Sequence, residues 1–209
     1  AAREAAGEPG CEAFAAVWQK VAADWRLKQL QYTWLRAVAN AHADFWQVTQ
    51  NALDWALEAA DLTDPDLRER LLALYFQLSA YPEVPGILAK LKERGYTTAI
   101  LSNGEPKMLA GAVESAGLAG CLDAILSVEE VGVYKPHDRV YDLVGRHLGT
   151  DTREVLFVSS TGWDACHAAG YGFRTVWVNR AGDPLDRLPW QPDTVLPDLS
   201  TIPDLADSL

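Results

Sequence analysis

From residue 12 onward apolar positions recur every three to four residues: Phe14, Val17, Trp18, Val21 and Trp25, then Leu30, Trp34 and Val38. That spacing puts them on one face of an α-helix. It predicts either one long helix or two pieces broken near Asp24. A second helix is predicted from about Ala43 to Ala59, with Phe45, Trp46, Ala52, Leu53 and Trp55 as its apolar members. Asp64-Pro65 reads as an N-cap followed by proline at the first helical position. The third helix opened there is expected to end near Leu78. Residues 12–78 carry no strand signal.

The pattern changes at Tyr81-Pro82. Val84–Arg94 reads as a short amphipathic helix stopped by Gly95, and Thr97–Leu101 as a buried strand. Glu105–Ala116 is a helix ended by Gly117, Leu122–Ser127 a strand, and Asp138–Leu148 a helix followed by Gly149. Val155–Ser159 is a strand, Trp163–Ala169 a helix and Phe173–Asn179 a strand; Thr194–Leu196 is a last short strand. Strands alternating with helices imply the α/β class, with a doubly wound parallel sheet. The expected division is a helical cap subdomain over 11–78 and a Rossmann-like core over 79–209. The proline-rich tail after Asp183 is expected to wrap the surface, anchored by Leu185, Leu188, Trp190, Val195, Leu196 and Leu199.

Composition narrows the partners. The 209 residues are 49% hydrophobic, enough for a sizeable core, and the net charge is -11 with a pI of about 4.7. An acidic surface disfavours nucleic acid and anionic membranes, although a pocket can be locally positive. Eight tryptophans, many at helical spacing, point to core and interface packing. Cys11, Cys121 and Cys166 are odd in number and widely spaced, which suits reduced thiols in a cytoplasm rather than disulfides or a zinc site. No apolar run approaches the ~18 residues of a membrane span. Residues 1–10 carry Glu4 and Glu8 and lack the apolar stretch of a signal peptide.

Candidate chemistry gathers where predicted strands end, the usual ligand site of open α/β sheets. Ser102-Asn103-Gly104 closes one strand and fits either a polar site or a plain turn. Lys135, before Pro136, either sends its ammonium into the pocket, where it would keep a carboxylate ionised, or is a solvated loop lysine. Ser159, Ser160, Thr161 and Asp164 follow another strand. Ser159 and Ser160 cannot both face the pocket unless the strand has ended. Asp164 near a helix start is favoured by the dipole, and Thr161 fits an N-cap. Arg36, on a mostly apolar helix, is either a surface ion-pair partner or a permanent cation for an anion. Cys166-His167 cannot face each other on a helix, and His42, His137 and His147 lack metal-ligand spacing.

Taken together, the segments Leu27–Arg36 and Ala43–Trp46, Ile100–Gly104, Lys135–Tyr141, Val155–Asp164 and Trp177–Arg180 resemble the haloacid dehalogenase superfamily. The closest resemblance is to its (S)-2-haloacid dehalogenases of type II. That resemblance covers nearly the whole chain. It implies hydrolysis of short (S)-2-haloalkanoic acids to (R)-2-hydroxy acids through an aspartyl ester. It assigns halide departure to Arg36 with Asn103, and substrate carboxylate binding to Ser102. Lys135 would orient the nucleophile; Tyr141, Ser159, Thr161 and Asp164 would organise the site and its water; Trp163 would wall the pocket. Covalent catalysis of this kind splits one hard displacement into two steps. No metal and no cofactor are expected, because the strand tip carries serines where the superfamily's phosphatases carry acids for Mg²⁺. A homodimer is implied for many such proteins.

Two departures accompany the resemblance. Threonine stands at 161 where asparagine is usual. The aspartate-bearing first strand has no counterpart before residue 11, and its place would be between the strands at 97–101 and 155–159. The expectation is a normal enzyme whose first strand precedes Ala1. The alternatives are a Mg²⁺-dependent phosphatase-like hydrolase, or a non-catalytic binding protein or fragment.

Overall fold

The computed structural model describes residues 6–7 and 12–208, so Cys11 lies outside the described residues. The chain groups into two compact units. The first takes the residues up to Ser79 together with Asn103–Gly117 and Ser127–Tyr134; the second takes Ala80–Ser102, Leu118–Leu126 and Lys135–Leu209.

The first unit begins with α1 (Glu12–Val38), one helix with no break at Asp24. Asp24 is tolerated because its carboxylate meets Lys20 Nζ at 2.6 Å, one turn earlier. Helix α2 (Phe45–Glu58) starts at Asp44, whose side chain accepts from the Gln47 amide. Phe14, Val21 and Trp25 of α1 bury against Ala52, Leu53, Ala56 and Leu57 of α2 and against Leu67, Leu71 and Leu72 of α3 (Pro65–Ala73). The alanines let the helices approach closely. Gln29 is buried in this packing, and its amide donates to Thr49 Oγ1 (2.8 Å) and to Tyr75 Oη (3.0 Å). A buried amide without such partners would be costly. The third helix stops five residues before the expected Leu78, and Leu74–Phe76 forms a 3₁₀ turn instead. Leu78 is exposed, so no burial rewards a longer helix. Helix α4 (Val84–Glu93) belongs to the second unit, whereas α5 (Pro106–Ser115) packs here, with Gly111 against Phe76.

The second unit carries β1 (Ala99–Ser102), β2 (Ala124–Ser127, whose last residue counts with the first unit), α6 (Asp138–Leu148), β3 (Leu156–Ser159), α7 (Gly162–Tyr171), β4 (Arg174–Val178), β5 (Thr194–Leu196) and α8 (Ile202–Ala206). Strand β3 pairs parallel with β4, Leu156 opposite Arg174 and Ser159 opposite Trp177, and β4 pairs parallel with β5. Strand β1 pairs with β2 in a separate sheet, and among the described residues no ladder joins the two sheets. The fold is α/β with parallel strands, as expected, but β1 is not the buried strand its composition suggested. Ala99 is exposed and Ile100, Leu101 and Ser102 are half-buried, whereas β4, paired on both edges, buries Thr175 to Val178.

Helix α6 has the expected bounds, and Gly149 ends it at φ 65°, the left-handed region that glycine tolerates. The tail is less anchored than expected at Leu185 and Val195, which are exposed, while the Trp190 ring packs edge-on against His167 and over Gly170. Leu196 and Leu199 do pack, against Ile87, Val176, Val178 and Ile202. Ile202 starts α8, a helix that the periodicity did not announce.

Candidate active site

In the second unit the turn between β3 and α7 supports a polar cluster around one carboxylate. Asp164 lies in the first turn of α7, where the helix dipole favours negative charge. Its Oδ2 accepts from Lys135 Nζ at 2.9 Å and from Ser159 Oγ at 3.1 Å, and its Oδ1 accepts from Tyr141 Oη at 3.1 Å. Lys135 and Asp164 are both buried. The lysine is therefore no solvated loop residue. Its ammonium also sits 4.7 Å from the centre of the Phe157 ring, a favourable cation–π placement.

Each member arrives from a different element. Ser159 is the last residue of β3, and Ser160, one step on, is exposed. The strand has ended there, and only the first of the two serines turns inward. Tyr141 comes from α6, whose apolar face is buried beside it. The Tyr141 ring packs edge-on against Phe157 and Phe173. Burial, first, and then the Asp164 charge push the Tyr141 phenol well above its ordinary pKa. It remains a hydrogen-bond donor at neutral pH.

Thr161 occupies the N-cap position of α7, yet its side chain makes no cap bond, contrary to the simple capping role its place suggested. Its Oγ1 lies 3.1 Å from Ser159 Oγ instead. Ser159 has one hydroxyl proton and two lone pairs. With that proton given to Asp164, Ser159 accepts from the Thr161 hydroxyl and from the Thr161 backbone N–H at 3.2 Å. The serine is then saturated and its orientation fixed. The order Thr161 to Ser159 to Asp164 follows from counting protons.

Of the other candidates, Ser102 ends β1 in the same unit and Trp163 sits half-buried in the first turn of α7. Cys166 is buried, and burial raises its thiol pKa; His167 turns to the Trp163 carbonyl at 2.8 Å, so the pair is no dyad. Asn103 and Arg36 belong to the first unit. Arg36 lies in the last turn of α1, and its Nη1 donates to the Ala41 carbonyl at 3.2 Å. It borders an open hollow of about 590 Å³ shared with Tyr32, Asn51, Asp54, Trp55 and Glu58. Sequence reasoning passed over Glu129 and Tyr134 and weighed His42 only as a metal ligand; the three join in that unit. Glu129 had no local pattern to expose it, since its partners lie more than eighty positions earlier.

Comparison with known sequences decides the family, since residues 1–170 match the haloacid dehalogenase-like hydrolases. The chain belongs to that family. Within it, the chain is 48% identical over 161 residues to (S)-2-haloacid dehalogenase 1 of Pseudomonas sp. (strain CBS-3), covering 77% of this chain and 71% of that one. It is 41% identical over 198 residues to the (S)-2-haloacid dehalogenase of Pseudomonas sp. (strain YL), covering 94% and 85%. The L-2-haloacid dehalogenase of Xanthobacter autotrophicus, solved with chloropropionic acid covalently bound, superposes with a TM-score of 0.87 at 32% identity, covering 100% of this chain and 94% of that one. This member of the family thus sits among its (S)-2-haloacid dehalogenases.

Proposed function

We propose that the protein hydrolyses short (S)-2-haloalkanoic acids to (R)-2-hydroxy acids through an aspartyl ester, without a metal. The observation that carries this reading is the Lys135–Asp164 pair braced by Tyr141 and Ser159, in a chain whose relatives are (S)-2-haloacid dehalogenases. Both Asp164 oxygens are engaged by donors that hold the carboxylate still. A fixed carboxylate at a strand end suits positioning and deprotonating a water for ester hydrolysis. The Lys135 ammonium sets a positive charge 2.9 Å from that carboxylate. Metal-free chemistry is supported by the donor set itself: an ammonium already neutralises the only acid of the Ser159–Asp164 segment.

Arg36 is the cation proposed for halide departure, with Asn103 assisting; Ser102 takes the substrate carboxylate, and Trp163 walls the pocket. Thr161 orients Ser159 and so Asp164. The role of attacking carboxylate is assigned to no residue named here. The cytoplasm is the proposed compartment. It is supported by the unbonded Cys121 and Cys166, and among the described residues no helix is long and apolar enough to cross a membrane. A homodimer is supported by the exposed stripe Leu27, Trp34, Leu35 and Val38 along α1, Val38 being 89% exposed. Sedimentation of the parent and of Val38→Glu tests the dimer; an identical monomer mass for both overturns it.

The function is tested by halide release from (S)-2-chloropropionate by the chain joined to an aspartate-bearing first strand of its family, which supplies the attacking carboxylate, with the (R) enantiomer and Arg36→Ala as controls. Release from the (S) form alone, lost in Arg36→Ala, is the expected result. Release from neither enantiomer, or equal release from both, counts against the reading.

A further inference from the structure

We propose that Glu129 is a positioning residue for Arg36, acting through the loop that joins α1 to α2. The proposal rests on the reading of Arg36 as the residue facing the departing halide.

Arg36 is tied to that loop at two points. Its guanidinium donates to the Ala41 carbonyl at 3.2 Å, and the Ala41 amide donates back to the Arg36 carbonyl at 2.9 Å. Where the Ala41 peptide goes, the guanidinium goes. The α1 end of the loop is a Schellman turn: the Asn40 and Ala41 amides donate to the Ala37 and Arg36 carbonyls at 3.2 and 2.9 Å, with Asn40 at φ 52°, a left-handed position that asparagine tolerates. Residues 41–44 have no regular structure.

The support comes from the segment Val128–Tyr134 of the same unit. Glu129 Oε2 lies 2.8 Å from His42 Nε2, and Glu129 Oε1 accepts from the Phe45 backbone N–H at 2.9 Å. One carboxylate thus grips the loop on both sides of Ala43-Asp44. The Phe45 N–H is among the amides that a helix start leaves without an intrahelical partner, and an anion there is favoured by the dipole. The Tyr134 hydroxyl donates to the Ala43 carbonyl between these points. The charges facing this knot are Glu129, Asp44 and Arg36, all of which act on the Tyr134 phenol.

Helix capping alone does not require this arrangement. Asp44 already caps α2 through the Gln47 amide at 2.7 Å, and the His42 bond lies outside the helix. A residue serving only as a cap has no reason to hold His42, next in sequence to Ala41, whose carbonyl accepts from the Arg36 guanidinium.

The test reads Arg36 directly. In the ¹⁵N-labelled full chain, the Arg36 Nε–H signal is assigned by its loss in Arg36→Lys, and its heteronuclear NOE reports side-chain order. The expected result is an ordered Arg36 in the parent that falls in Glu129→Ala to the mobility of an exposed arginine such as Arg187. Glu129→Gln, which keeps an oxygen for Phe45 and an amide for His42, should retain most of the order. Glu129→Asp, one methylene too short to hold both His42 and Phe45, serves if Glu129→Ala does not fold. Arg36 order unchanged in a folded Glu129→Ala, or in Glu129→Asp where that is the variant read, overturns the proposal.

Kinetics of the chain joined to the aspartate-bearing strand then separate the two readings. Displacement of a catalytic group by about 1 Å costs on the order of 100-fold in rate. Glu129→Ala should therefore lower kcat for (S)-2-chloropropionate roughly 10- to 100-fold with KM little changed, and lower it less for the bromo acid, whose halide leaves more easily. If Arg36→Ala leaves halide release unaltered while Arg36 loosens in Glu129→Ala, the functional reading of Arg36 fails and the clamp stands as a structural fact.

Discussion

Two polar pairs, one in each unit, are built on opposite plans. Lys135 and Asp164 have side chains 7% and 9% exposed, with Tyr141 and Ser159 completing the carboxylate's bonds. His42 and Glu129 are 27% and 19% exposed, and they bridge a loop to a segment 87 positions away. The buried pair must be complete, because an ion withdrawn from water is tolerated only when its partners are all present. The outer pair retains some solvation and can be altered at small cost. The first is suited to hold a reacting group rigid, the second to set where a loop sits.

The sharpest way to break the comparison is Lys135→Met. It leaves Asp164 buried without its cation, and removal of one partner of such a pair costs about 3–5 kcal/mol. Urea unfolding should show that loss, and Lys135→Met with Asp164→Leu together should recover part of it. A loss under about 1 kcal/mol would put Lys135 in the class of exposed pairs and erase the distinction.

The two pairs also differ in how far the sequence announces them. Ser159, Thr161 and Asp164 stand out because they follow the end of an apolar strand, Lys135 because it precedes Pro136 after a turn, and Tyr141 through the family resemblance; the structure brings all five together. Helix α6 is legible to the residue, since Asp138 opens it and Gly149 ends it. His42 and Glu129 carry no periodic signal, for their pairing is set only once distant segments pack. Strand β1 shows the other failure. Its apolar run reads as buried, but burial depends on neighbours, and β1 pairs with β2 alone among the described residues. Helix α8 is too short for periodicity to register and holds Pro203 in its first turn.

Within the buried cluster, Thr161→Val sharpens the picture at lower cost. Valine keeps the shape and the backbone N–H but removes the hydroxyl that donates to Ser159. One net hydrogen bond of about 1 kcal/mol is lost. We expect that drop in urea unfolding, together with a larger fractional fall in halide release. Thr161→Ser should retain both, and equal values for the valine and serine variants would show that the hydroxyl orients nothing.

For the outer pair, His42→Ala should cost less than Thr161→Val, on the order of 0.5 kcal/mol, because a partly solvated hydrogen bond contributes less than a buried one. Urea unfolding reads the difference. A loss above about 2 kcal/mol would mean that His42 supports packing rather than a solvated pair.

The smallest expected effect appears only in alkali. Burial, then the hydrogen bond to Asp142 and the Asp142 charge, push the Tyr171 phenol up to about 12, against 10.0 for an ordinary tyrosine. The folded state therefore keeps a proton that the unfolded state releases between these values. Where the folded state binds more protons, stability falls as pH rises. The contribution is whole below pH 10 and is lost on the way to pH 12. Tyr171 is only half-buried, so solvent screening keeps it modest. Urea midpoints of the parent and of Tyr171→Phe, followed from pH 8 to 11.5, should run parallel up to about pH 10 and then converge, the parent falling faster because only it has this proton to lose. Parallel curves throughout would show that the Asp142 bond at 2.7 Å opens in solution, leaving Tyr171 to titrate as a free phenol.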